Sequence, residues 1–141
     1  MRALILALLL LSPQGPGVPN NLPKDIPKND PNGVWQSDTR TKFQMTLTGS
    51  DLKVQLVEGS NPVYLKYEMD LKNGDNPNIY TGSGYFIAKV KDKQCRFDTT
   101  WNIAVVQTEI IAGFMSHVWP DPDTCEVKDR ADEFVQLKKV K

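Results

Sequence analysis

The feature that most constrains this chain is an every-other-residue alternation of apolar and polar side chains that begins near Phe43. Phe43, Met45 and Leu47 share one parity, and Lys42, Gln44, Thr46 and Thr48 hold the other. Leu52, Val54 and Leu56 then alternate with Lys53 and Gln55, and Val63, Leu65, Tyr67, Met69 and Leu71 with Tyr64, Lys66, Glu68 and Asp70. Successive side chains of an extended strand point to opposite faces, so a period of two predicts strands with one buried and one wet face. Gly49-Ser50, Gly59-Ser60-Asn61-Pro62 and Asn73-Gly74-Asp75 break the runs with turn-forming residues. Strands are expected next over Ile79 to Val90, over the run from Cys95 to Val105, and at about Glu109 to Trp119. Short ones follow near Cys125 to Val127 and Glu133 to Val140, with a turn of helix allowed at Asp129-Arg130-Ala131-Asp132. Gly82 and Gly84 share one face of their strand, which marks sharp bending or close approach of another backbone, with bending of a closing sheet the simplest cause. No segment sustains a helical period. About eight short strands joined in sequence predict an all-β fold, an antiparallel up-and-down β-barrel, with a β-sandwich as the alternative. Barrel closure also removes exposed sheet edges.

The N-terminal part follows a different logic. Met1-Arg2 precedes an unbroken apolar run, Ala3 to Leu11, which stops at Ser12-Pro13. A positive start and a short apolar segment are the layout of a secretory signal, and about 20 residues would be needed to span a bilayer. Residues 1–17 are therefore read as a signal peptide, with Gly15-Pro16-Gly17 offering a small-x-small cleavage site. Residues 18–32 continue a stretch rich in Pro and Asn, with Pro19, Pro23, Pro27 and Pro31, and are read as an extended, solvated linker. Residues 33–141 form the barrel domain. In an oxidising compartment, secreted or periplasmic, Cys95 and Cys125 are expected to pair. A metal site is a poor rival, because His117 is the only histidine. Lys and Arg number 17 and so do Asp and Glu, a balance that gives no field to recruit nucleic acid or an anionic membrane.

Gly33-Val34-Trp35 opens the first expected strand. This triplet resembles the G-x-W opening of lipocalins and avidin-like proteins, where the tryptophan closes the floor of a small barrel. Avidin-like proteins keep an aromatic residue eight positions later, where Phe43 stands, and polar ligand contacts two and six positions after the tryptophan, where this chain has Ser37 and Thr41. The match covers about a dozen residues and implies a barrel. If one pole holds a pocket, Trp35, Tyr67, Phe86, Trp101 and Phe114 are the expected lining, with Ser37 and Thr41 as polar contacts. The other outcome is an interior filled by these same side chains.

A second candidate lies on the outside. If Thr108-Glu109 is a hairpin loop, Ala104, Val106, Ile111 and Met115 fall on the face opposite Ile103, Val105, Ala112 and Phe114. Both faces are then apolar, and the outer set is the expected interface with a partner protein or a second copy. No catalytic constellation stands out: His117 has no nucleophile beside it, and Asp121, Asp123, Glu126, Asp129 and Asp132 read as a solvated acidic stretch. Neither a cofactor motif nor a metal signature is present. The reading is a secreted, non-enzymatic binding domain for an unknown small molecule or protein. The alternatives are a structural or assembly component of an envelope or extracellular layer, and a small barrel-fold enzyme.

Overall fold

The computed structural model describes residues 26–141. The expected signal peptide and the first part of the linker lie outside them. Eight strands follow one another: β1 (Gly33–Gln36), β2 (Lys42–Thr48), β3 (Asp51–Leu56), β4 (Tyr64–Asn73), β5 (Ile79–Val90), β6 (Lys93–Gln107), β7 (Ile110–Pro120) and β8 (Val127–Lys139). Each pairs antiparallel with the next, and β8 pairs with β1, so the sheet is closed and all-β. The alternation works as expected along β2, β3 and β6. Phe43, Met45, Leu52, Val54, Cys95, Phe97, Thr99, Trp101, Ile103 and Val105 are all buried.

Two bulges break the simple parity. Tyr64 pairs with Ala88 and Lys66 with Ile87, leaving Leu65 as the extra residue on β4. An extra residue flips the faces of everything beyond it. Val63 and Leu65, expected on the same face as Tyr67, are therefore exposed, and Tyr64 packs against the core instead. The second bulge is at Val106, between the pairs Val105↔Ile111 and Gln107↔Ile110.

Gly82 and Gly84 lie on β5 with the β4 backbone close against them. A Cβ at either would overlap the carbonyl oxygen of Asp70 or Glu68 on β4. Gly33 has φ +126°, and a Cβ there would lie 2.8 Å from Cε of Lys139. That space lets the Lys139 side chain reach over the Trp35 ring, with Nζ 5.3 Å from its centroid.

The expected linker is not free over its last part. Asn29 Nδ2 donates to the Val105 carbonyl at 2.9 Å, Asn78 Nδ2 to the Pro27 carbonyl at 2.8 Å, and Trp35 Nε1 to the Pro31 carbonyl at 2.8 Å. Residues 26–32 are seated on one pole of the barrel, and Pro31 is buried there.

The C-terminal part also departs from expectation. Asp129 to Asp132 are neither helix nor turn but part of one continuous strand, β8. Pairing of β6 with β7 ends at Trp101↔Met115, whereas β7 and β8 remain paired out to Pro120↔Val127. The sheet therefore forks: the distal β7–β8 hairpin leaves β6 and runs on alone. It is tied back by the disulfide Cys95–Cys125, with a Cα separation of 5.6 Å, and by Thr99 Oγ1 donating to the Ser116 carbonyl at 3.2 Å. Arg130 Nη1 donates to the Asp98 carbonyl at 2.7 Å and to Ser116 Oγ at 3.0 Å.

Candidate functional site

The expected interior lining divides. Trp35, Tyr67, Phe86 and Trp101 are buried inside the barrel, but they fill it. Phe43 packs edge-on against Tyr67 at 5.4 Å and against Trp101 at 5.1 Å, Tyr67 stacks on Phe86 at 4.9 Å, and Phe86 meets Phe97 at 5.3 Å. Rings at these separations are in contact, leaving no room for a ligand between them. Burial, with the neighbouring Tyr64 adding to it, holds the Tyr67 hydroxyl well above the usual tyrosine range. The Tyr80 hydroxyl and Trp101 Nε1 are buried with no hydrogen-bond partner among the described residues.

Ser37 and Thr41 are committed elsewhere. Ser37 Oγ accepts from the Thr41 backbone N–H at 3.2 Å and lies 2.8 Å from Thr39 Oγ1. Asn61 Nδ2 donates to Thr41 Oγ1 at 2.7 Å, which locks the β1–β2 turn to the β3–β4 loop. The two side chains hold loops together, and Thr41 is buried in doing so. The acidic loop before β8 is likewise occupied by its neighbours. Asp121 accepts from the backbone of Asp123 and Thr124, which with Lys128 holds its carboxyl below the usual range, and Lys91 pairs with Asp123 at 3.0 Å. His117 Nδ1 lies 3.2 Å from Glu133 Oε1 and its ring packs edge-on against Trp119.

On the outer face the bulge at Val106 exchanges the β7 members of the two expected sets and leaves the β6 members where they were expected. A plain two-residue loop would place Val106 opposite Ile111, but the extra residue places Val105 there. Ile111 is consequently fully buried in the interior, and Met115 packs against the core. Ala112 and Phe114 move outside, where they join Ala104 and Val106. Phe114 is thus not an interior lining residue: it is 49% exposed. Beside it on β8 is Phe134, 63% exposed, paired with it across the strands and in edge contact at 5.8 Å. The sequence left Phe134 without a face, because the strand carrying it has no clear alternation.

Next to this phenyl pair a trough of about 460 Å³ opens at the fork between β6 and the distal hairpin. Thr81, Ser83, Thr100, Asn102, Phe114 and Asp132 line it. Thr81, Asn102, Phe114 and Phe134 form one cross-strand row, and Ser83 and Thr100 pair in the next. The wet face of the neighbouring β4 carries Lys66, Glu68, Asp70 and Lys72 instead. The sequence carried only part of this signal: Thr81, Ser83, Thr100 and Asn102 are short and neutral, but Lys89, Arg96 and Asp98 share their wet parity on β5 and β6.

The chain matches no protein-family model, and no curated protein or solved structure matches it.

Proposed function

We propose that this is an exported, non-enzymatic binding domain whose working surface is the outer face of β5 to β8, around Phe114 and Phe134. One observation carries the reading: two phenyl rings stand exposed side by side on the outside, while the interior is occupied by the protein's own aromatic side chains. Exposed aromatics standing together on a sheet face are a common mark of recognition surfaces. The Cys95–Cys125 bond supports an oxidising compartment. Among the described residues no helix is long and apolar enough to cross a membrane.

The test is site-specific photocrosslinking in the cells that make the protein. A photoreactive phenylalanine analogue at position 134 should give discrete adducts that are missing when the same group replaces Lys53, on β3. Equal patterns at both positions would defeat the proposal. Sedimentation of the purified chain separates a second copy from other occupants: a dimer lost in Phe134→Ser identifies self-association as the use of this face.

A further inference from the structure

We infer that the trough at the fork binds a neutral sugar, a pyranose ring or a short neutral glycan, with Phe114 as its stacking wall. This rests on the outer-face reading above and names its ligand class. The trough combines three things. It has a wall made of exposed aromatic ring, Phe114, with Phe134 in edge contact behind it. The face of a phenyl ring is electron-rich and apolar, and the C–H face of a pyranose is weakly positive and apolar, so the two stack. The floor carries short hydroxyl and amide groups, from Thr81, Ser83, Thr100 and Asn102, none of which has a side-chain hydrogen bond within the described residues. One carboxylate, Asp132, adds a strong acceptor at the rim.

That inventory matches the donors and acceptors of sugar hydroxyls, each of which both gives and accepts a hydrogen bond. It is ill suited to the other ligand classes. No Lys or Arg lines the trough, and the Arg130 guanidinium is spent on the Asp98 carbonyl and Ser116 Oγ. An anion would meet Asp132 without a compensating cation. A purely apolar surface laid over the row would strip water from four uncommitted polar groups and return no hydrogen bonds. The size, about 460 Å³, lies within the range of small-ligand sites.

The geometry also explains why the trough is here. A continuous β6–β7 ladder would bring β7 against Thr100; because the ladder stops at Trp101↔Met115, Thr100 and Asp132 face each other across a gap. The Cys95–Cys125 bond fixes how far that gap opens, by holding the hairpin end to β6.

The experiment is an amide-resolved NMR titration of the full exported chain. The probes are the methyl pyranosides of glucose, galactose and mannose, together with N-acetylglucosamine and the neutral polymers mannan and soluble β-glucan. At least one should shift the amides of Thr81, Ser83, Thr100, Asn102, Phe114 and Asp132 and leave those around Arg40 and Ser60 unmoved. Phe114→Ala and Asn102→Ala should each weaken that probe about tenfold, with the spectrum elsewhere unchanged. Inorganic phosphate and heparin should cause no shift at these positions. Silence from every sugar overturns the inference, as does sugar binding that survives both substitutions, or a response to phosphate or heparin alone. Protein adducts at position 134 with no sugar response leave the outer-face reading standing and remove only the sugar.

Discussion

In the barrel body each strand has a hydrogen-bonded neighbour on both sides and a row of buried side chains beneath it. The distal half of the β7–β8 hairpin has only itself for a ladder partner, and most of its β8 residues are exposed. Burial distributed over eighteen of the nineteen apolar core residues holds the first region, and Val118 is the one that the distal hairpin contributes. A handful of discrete links hold the second: one disulfide, the Arg130 fork to Asp98 and Ser116, Thr99 to Ser116, and the lysines Lys91 and Lys93 reaching Asp123. Distributed burial gives cooperative stability, whereas a few point contacts allow local opening well below the global unfolding free energy. The candidate sugar trough lies where these two regions part.

The largest expected effect is in the body. Trp101→Ala removes a buried ring in contact with Phe43 and should cost about 3–5 kcal/mol in denaturant unfolding. A loss of less than about 1 kcal/mol, as for a surface site, would mean the interior is not the filled core that defines the contrast. Next comes the tether. Replacing Cys95 and Cys125 by Ala should cost about 3–4 kcal/mol in the chain-entropy model. Hydrogen exchange sharpens the point: amides of residues 116–132 should lose protection ahead of those in β2 to β5. A uniform loss along the chain would erase the distinction between the regions.

A smaller effect appears at alkaline pH. Burial raises the pKa of Tyr67 and of Tyr80 above the ordinary tyrosine value of about 10. A raised acid pKa means the folded state holds its proton more tightly. The stabilisation is therefore complete below about pH 10 and lost as pH climbs toward the folded values. Thermal melts should decline over that range, and Tyr67→Phe should flatten the decline. An unchanged slope in Tyr67→Phe would place the loss elsewhere. The smallest effect is outside: Phe134→Ser should alter stability by no more than about 0.5 kcal/mol by the same melts. A large loss would make the exposed phenyl pair part of the structural core.

The same contrast explains what could be read from the residues alone. Cys95, Phe97, Thr99, Trp101, Ile103 and Val105 disclose their face directly, because one side of β6 is dry and the other wet. The bulges at Leu65 and Val106 leave no such trace, since they are set by how two strands meet and not by either strand's own pattern. One unread bulge was enough to exchange Ile111 with Phe114. The distal part of β8 is wet on both sides, so Asp129-Arg130-Ala131-Asp132 shows no alternation to mark it as strand. Cys95 and Cys125 were legible as a pair because they are the only two cysteines. The trough was not, because Asp132 and Thr100 meet only through the fork.

The seam between β1 and β8 has a consequence of its own. β1 supplies four residues and shares just two register pairs with β8, Trp35↔Lys139 and Gln36↔Lys138, reinforced by Val140 donating to the Val34 carbonyl. These partners come from opposite ends of the described chain, so the seam is the ladder with the costliest closure and the fewest rungs. A barrel that tears will tear there. The two freed edges complement each other better than any other edge in the molecule, and the nearest replacement for either is the same edge of a neighbouring copy. Reciprocal exchange of β8 between copies is therefore the misassembly this architecture invites.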